Sequence, residues 1–266
     1  MIKLIATDID GTILIPDKEF TEGVKSCVAD LIQNGVKVVL VTGRMNAAAR
    51  LVAEKLNLQT PLISYQGGLV TEGDRVLYER YLTEKQAEEI LDWAKEEDIH
   101  INLYNNDILY SERDCFEIQK YAGRQNVSYV VKDFKCIKKD KVNKILAIDY
   151  EHPEKIDKLE KELPQRFPDL YIVKSTPYFL EFSNKEASKY CAVKFLQDYL
   201  DIKDEETLTI GDQNNDISLL KAGGIKVAMG NATEELKKCA DYITDTVEND
   251  GFVKVINKFC NNTARN

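Results

Sequence analysis

Short apolar runs alternate with amphipathic stretches along the first part of this chain. Residues Lys3–Ile9 form an apolar run that ends on acidic residues, and Thr21–Asn34 carries apolar positions at helical spacing before stopping at Gly35. A strand and then a helix are expected. Val36–Val41 is near-continuously apolar, as a parallel strand buried on both faces would be. A helical stretch over Asn46–Leu56 and a third strand over Leu62–Tyr65 follow. Such alternation marks βαβ units and a parallel sheet.

The pattern then changes. Leu69–Tyr78, interrupted by Glu72-Gly73-Asp74, reads as a hairpin, and Thr83 with Gln86 forms a capping box for a helix reaching about Asp98. Shorter strands are expected over Ile99–Tyr104, Ile108–Ser111, Lys144–Tyr150, Tyr171–Ser175 and Tyr178–Phe182, with helices over Cys115–Arg124 and Pro153–Arg166. From Ser188 the alternation returns: helix to Leu200, strand Thr207–Gly211, helix Asp216–Ala222, strand Ile225–Met229, helix Thr233–Cys239. The expected architecture is a parallel α/β core, residues 1–82 and 186–266, split by an α+β module over 83–185.

Composition narrows the function. A chain of 266 residues, 44% hydrophobic and 30% charged, is long enough for two hydrophobic cores. Its formal charge of -9 disfavours nucleic acid and anionic membranes, so an anionic substrate needs a local positive site. The six cysteines show no CxxC spacing and no Cys/His cluster in sequence, which predicts reduced thiols and no zinc site. No apolar run approaches the length of a membrane span, and the N-terminal residues turn acidic before a signal-peptide core could form. A cytoplasmic protein, monomeric or weakly dimeric, is expected.

Four constellations sit where an α/β sheet places its ligands, beyond the carboxyl ends of strands. Asp8-Ile9-Asp10-Gly11-Thr12 follows the first strand, and carboxylates at i and i+2 point the same way if extended geometry continues. Like charges that close call for a cation. A solvated strand end with an Asp-Gly turn is the bland reading of such a pair taken alone; the three partners weigh against it. Val41-Thr42-Gly43-Arg44 offers a hydroxyl and backbone N–H groups at a helix start, an anion site. Lys189 opens the helix that re-enters the core, and Gly211-Asp212-Gln213-Asn214-Asn215-Asp216 gathers hard oxygen ligands suited to Mg²⁺.

With DIDGT, VTGR, SYQGG, PYFLEFSNKEASK, GDQNND and AMGNA in that order, the chain resembles the haloacid dehalogenase superfamily over nearly its whole length. Within it the resemblance is to the Cof-type, subfamily IIB, sugar-phosphatase-like branch with a large C2-type cap. Too few residues separate Asp8 from Thr42 to hold a domain, whereas the insertion falls between Thr42 and Lys189. Two departures stand out: Glu186 and Tyr190 replace glycines around the lysine, and Gln66 replaces the usual Asn. The resemblance implies a Rossmann-like parallel core and a Mg²⁺-dependent phosphatase acting on a small phosphorylated metabolite, most readily a sugar phosphate. It assigns Asp8 as nucleophile, Asp10 as general acid and base, and Asp8, Asp10 (by its main-chain carbonyl) and Asp212 as metal ligands. Thr42, Gly43, Arg44, Lys189 and Asn215 are then expected at the phosphate, and Asn215 and Asp216 to orient the metal's waters or Lys189.

A phosphohexomutase of the same superfamily is the main alternative, and a phospho-ligand sensor without turnover is a third. His100 and His152 are expected as ordinary surface or packing residues. The lysine-rich segment Lys132–Lys144 is read as a solvated hairpin ahead of a patch that draws in phosphate. Trp93, Tyr104, Phe116, Tyr121 and Tyr129 are expected mostly in the core of the inserted module, one or two of them lining a pocket.

Overall fold

A computed structural model of the protein describes residues 1–16 and 18–260. The chain opens with β1 (Leu4–Thr7), α1 (Glu22–Gln33), β2 (Lys37–Leu40) and α2 (Asn46–Lys55). Thr21 caps α1 by accepting a hydrogen bond from the Val24 N–H, satisfying a donor the helix cannot. Next come β3 (Leu62–Ser64), β4 (Leu69–Glu72) and β5 (Arg75–Glu79). Leu62–Ser64, expected as a third parallel strand, pairs antiparallel with β4 and meets the parallel series only at the Val41–Ile63 bridge. The cause is the turn that follows: Tyr65, Gln66 and Gly67 all have positive φ and reverse the chain at once.

The insertion comprises α3 (Glu84–Glu96), β6 (His100–Asn105), β7 (Ile108–Ser111), α4 (Phe116–Gln125), β8 (Val130–Val131), β9 (Val142–Ile148), α5 (Pro153–Arg166), β10 (Leu170–Thr176) and β11 (Phe179–Asn184). Its strands form one six-stranded sheet, ordered β10-β11-β9-β6-β7-β8. The Thr83–Gln86 capping box starts α3 as the sequence predicts. The two passages between core and insertion lie side by side, tied by Asn184 Nδ2 donating to the Tyr81 carbonyl at 2.9 Å and by the Arg80–Glu186 ion pair at 2.6 Å. The chain returns through α6 (Lys189–Leu200), β12 (Thr207–Gly211), α7 (Ile217–Leu220), β13 (Ile225–Ala228), α8 (Glu234–Lys237), β14 (Tyr242–Ile243) and α9 (Gly251–Phe259). Residues 261–266 of the expected core lie outside the described residues.

The core sheet is wholly parallel, in the order β14-β13-β12-β1-β2. Successive side chains of a strand point to opposite faces, and both faces here are apolar. Ile5, Val38 and Leu40 pack with α1, α2 and α9 on one side, while Leu4, Ala6, Val39 and Val41 pack with α6 and α7 on the other. The inserted sheet divides likewise. Leu103, Ile145, Ala147, Leu180 and Phe182 face α3 and α5, burying Trp93; Tyr104, Leu146, Ile148 and Phe179 face the opposite way. That second face meets Ile118 and Tyr121 of α4 and, from the core, Met45, Ala48, Tyr65 and Leu69. One apolar cluster therefore joins the two parts.

Candidate active site

Parallel pairing brings together residues that are two hundred positions apart. Thr7 stands opposite Leu40 on one neighbour and Ile210 on the other, so the chain leaves β1, β2 and β12 at one level, side by side. Asp8, Thr42 and Asp212 follow within two residues of those ends. Lys189 arrives as the first residue of α6, whose start is fixed by Ser188 Oγ accepting from the Cys191 N–H.

At the centre Lys189, fully buried, places Nζ 2.6 Å from Asp8 Oδ1 and 2.6 Å from Asp216 Oδ1. Asp216 Oδ2 accepts the N–H groups of Asp212 and Gln213 at 3.0 and 3.1 Å, closing the loop on itself. Asp212 accepts from Thr12 Oγ1 at 3.0 Å and Gln213 Nε2 at 2.9 Å. Carboxylate oxygens of Asp8, Asp212 and Asp216 lie within 4.8 Å of one another. One ammonium cannot neutralise three buried carboxylates. Burial, opposed by Lys189 and reinforced by Asp216 and Asp212, raises the Asp8 pKa well above the usual carboxylate range. Burial and Asp216 push Asp212 up to about 7. Lys189 is held above its ordinary value because its two carboxylates outweigh the desolvation that would lower it.

This donor set fits a hard divalent cation, which takes oxygen ligands and supplies the positive charge the cluster lacks. Gly11 belongs to the same fit. With φ near +82° and an added Cβ only 2.4 Å from Asp212 Oδ2, it leaves the space beside that carboxylate open as no other residue would.

Other expected residues take up places that the sequence does not reveal. The Asp10 carboxylate is gripped from both sides by Arg44, Nε to Oδ2 at 2.8 Å and Nη2 to Oδ1 at 2.6 Å. Arg44, expected at the phosphate, thus engages Asp10 while still lining the cavity. Thr42 is buried, its hydroxyl accepting from the Arg44 N–H at 3.2 Å. Asn215 donates Nδ2 to Gln66 Oε1 at 3.2 Å, and its buried Oδ1 has no partner among the described residues. Glu186 and Tyr190 both lie at the surface, Glu186 paired with Arg80.

The inserted sheet closes the site from above. Lys144, in β9, donates Nζ to the Gly43 carbonyl at 2.6 Å and to Glu181 Oε2 at 2.7 Å. Glu181, in β11, accepts from Gln66 Nε2 at 3.0 Å. A chain of buried polar contacts therefore runs Asn215, Gln66, Glu181, Lys144, Gly43 across the junction. Gly43 admits it: a Cβ there would fall 2.4 Å from Gln66 Nε2. The cavity between them, about 200 Å³, is lined by Asp8, Asp10, Thr42 and Gly43 below and by Tyr121, Arg124, Gln125, Ser175, Thr176 and Phe179 above.

Lys144 corrects the reading of Lys132–Lys144 as a solvated hairpin. The segment contains a single 3-10 turn at Phe134–Cys136, and both Lys139 and Lys144 are buried. Alternation within β9 carried the missing signal, since Lys144, Leu146 and Ile148 share one face. Glu181 shares its face with Phe179 in the same way. Of the aromatics, Trp93 and Tyr104 are buried and Tyr121 lines the cavity, whereas Phe116 is exposed. His152 lies on the surface and His100 is buried beside Asn102. Among the described residues no helix is long and apolar enough to cross a membrane.

Comparison with known proteins identifies the family. Residues 5–256 match the family model described as haloacid dehalogenase-like hydrolase. A provisionally named phosphatase of Streptococcus pyogenes serotype M6 is 33% identical over 268 residues, covering 97% of this chain and 98% of that protein. A 5-amino-6-(5-phospho-D-ribitylamino)uracil phosphatase of Bacillus subtilis is 29% identical, covering 96% of this chain and 94% of its own. The crystal structure of a haloacid dehalogenase-like hydrolase from Bacteroides thetaiotaomicron superposes with a TM-score of 0.86 at 28% identity, covering 97% of this chain and 99% of that one.

Proposed function

The chain belongs to the haloacid dehalogenase-like hydrolases and is a phosphoric monoester hydrolase of that family, and from that premise we propose that it hydrolyses small sugar or polyol phosphates with Mg²⁺, through a phospho-enzyme on Asp8. The observation that carries this reading is the buried cluster of Asp8, Asp212 and Asp216 on Lys189, opening onto a cavity that also holds Asp10 and Thr42. The phosphorylated ribityl chain in the name of the Bacillus subtilis relative supports a polyhydroxylated substrate.

Asp8 attacks phosphorus as a carboxylate, and the ester P–O bond breaks with its electron pair on the leaving oxygen. Asp10 donates a proton to that oxygen, then takes one from the water that attacks the aspartyl-phosphate, releasing inorganic phosphate and restoring Asp8. Both Asp10 oxygens are engaged by Arg44, and a phosphate dianion in the cavity competes for the same guanidinium. Lys189 holds Asp8 and balances charge on the transferring group, while Thr42 and the Gly43 N–H hold phosphate oxygens. Asp8, the Asp10 main-chain carbonyl and Asp212 would hold Mg²⁺, which would supply charge neutralisation at the phosphoryl oxygens.

The test is phosphate release from a panel of phosphorylated metabolites with Mg²⁺ and no bisphosphate activator. Release from sugar or polyol monophosphates, abolished by EDTA, is expected. Isomerised monophosphate appearing only with a bisphosphate would indicate a mutase instead. Turnover of none of the sugar or polyol phosphates would overturn the substrate assignment.

A further inference from the structure

The insertion carries a second cluster of ligating side chains, and none of its three members lines the cavity described above. His100 begins β6 and is buried; Cys115 is the residue from which α4 starts, and Glu117 lies in its first turn. Their donor atoms fall within 4.8 Å of one another, and Cys115 Sγ is 3.4 Å from His100 Nδ1. We propose that His100 Nδ1, Cys115 Sγ and the Glu117 carboxylate form a site for a borderline divalent transition metal of the zinc class, separate from the phosphoryl-transfer site.

Geometry and donor chemistry both support it. A tetrahedral zinc with sulfur at about 2.3 Å and nitrogen at about 2.05 Å separates those two donors by about 3.6 Å, against 3.4 Å here. A suitable tautomer is also available. His100 Nε2 lies 2.9 Å from Asn102 Oδ1, and a proton on Nε2 would be held there with the Nδ1 lone pair left facing the sulfur. Ligating histidines are oriented by such an outer hydrogen bond. Metal binding displaces the Cys115 proton to solvent. A thiol–imidazole hydrogen bond would account for two of these residues; the Glu117 carboxylate supplies a third donor.

Nitrogen and sulfur donors distinguish this site from the all-oxygen cluster at Asp8, so the two select different metals. A structural consequence follows from the placement of α4. Its start would be pinned to β6 by the metal, and its far end bears Arg124 and Gln125, which wall the substrate cavity. Occupancy would hold that wall in place.

The test uses the full chain, freed of metal and titrated with Co²⁺. Cobalt at Asp8 and Asp212 has no sulfur ligand and gives no thiolate-to-metal charge-transfer band, so failure here leaves the phosphatase reading untouched. The expected result is one Co²⁺ per chain bound with that band and displaced by Zn²⁺. The band should disappear in Cys115→Ser and persist in Cys136→Ser, whose cysteine is exposed. Glu117→Gln should bind at least ~10-fold more weakly, the scale of losing one ligand or its support. Absence of the band in the unsubstituted protein, its survival in Cys115→Ser, or unchanged affinity in Glu117→Gln would overturn the proposal.

Discussion

Replacing Lys144 by Met removes the ammonium that joins Glu181 to the Gly43 carbonyl, while keeping most of the side-chain volume in β9. Glu181 is 3% exposed, and Gln66 Nε2 would remain as its hydrogen-bond donor. An unpaired buried charge of this kind costs about 3–5 kcal/mol. For a urea slope of roughly 2 kcal/mol per molar, the unfolding midpoint falls by about 1.5–2.5 M. Trp93, the single tryptophan, packs 5.0 Å from Phe182 within the inserted module and reports this transition by fluorescence. The double variant Lys144→Met/Glu181→Gln removes both charges and keeps an acceptor for Gln66. It should regain most of the loss, giving a coupling of about 2–3 kcal/mol in the cycle. Turnover should not return with stability, because Gly43 still lacks the contact that ties its peptide to the inserted sheet. A single variant with a midpoint shift under about 0.5 M, or a double variant no more stable than the single, would show that the pair is solvated and the argument from burial wrong.

Lys189→Ala should lower kcat by roughly 30-fold to several thousand-fold, as about 2–5 kcal/mol of transition-state stabilisation implies, whereas Lys185→Ala should be near neutral. Lys185 is exposed and bonded to the Pro168 carbonyl, so reversed effects in steady-state kinetics would exclude Lys189 as the working lysine. Asp10→Asn should slow phospho-enzyme formation severely with a sugar phosphate and mildly with p-nitrophenyl phosphate, whose leaving group departs without a proton. Equal slowing of both in rapid-quench assays would remove Asp10 as proton donor. The pKa of Asp212, raised to about 7 from a model-peptide value near 3.8, means that the metal-free fold binds more protons than the unfolded chain between those values. Stability should therefore fall as pH rises through that window in EDTA, and Mg²⁺ should reduce the fall; a flat Tm from pH 5 to 7.5 in EDTA would contradict this.

The sequence alone determined the parallel core and the convergence of DIDGT, TGR, Lys189 and GDQNND. Each follows from local pattern. Apolar runs such as Val36–Val41 are buried on both faces wherever they pair, and loops after neighbouring parallel strands must emerge together. The Thr83–Gln86 box was equally local. The last helix, Gly251–Phe259, and the two-residue strand Tyr242–Ile243 were not foreseen, because the strand is too short to show alternation and Asp250, which precedes the helix, makes no side-chain cap.

Tertiary structure decided everything that depends on how the inserted sheet is placed. Both of its faces carry apolar residues, Ile145 and Ala147 on one and Leu146 and Ile148 on the other. Periodicity of two is symmetric between them, so it shows that Lys144 and Glu181 lie on particular faces but not which face meets the core. Docking through Tyr65, Tyr104 and Tyr121 breaks that symmetry and turns two strand residues into the roof of the site. The Arg44 pairing with Asp10 was hidden for a related reason. Sequence places both residues beyond adjacent strand ends, yet only the set of side-chain directions at that level determines whether the guanidinium meets a carboxylate or open cavity.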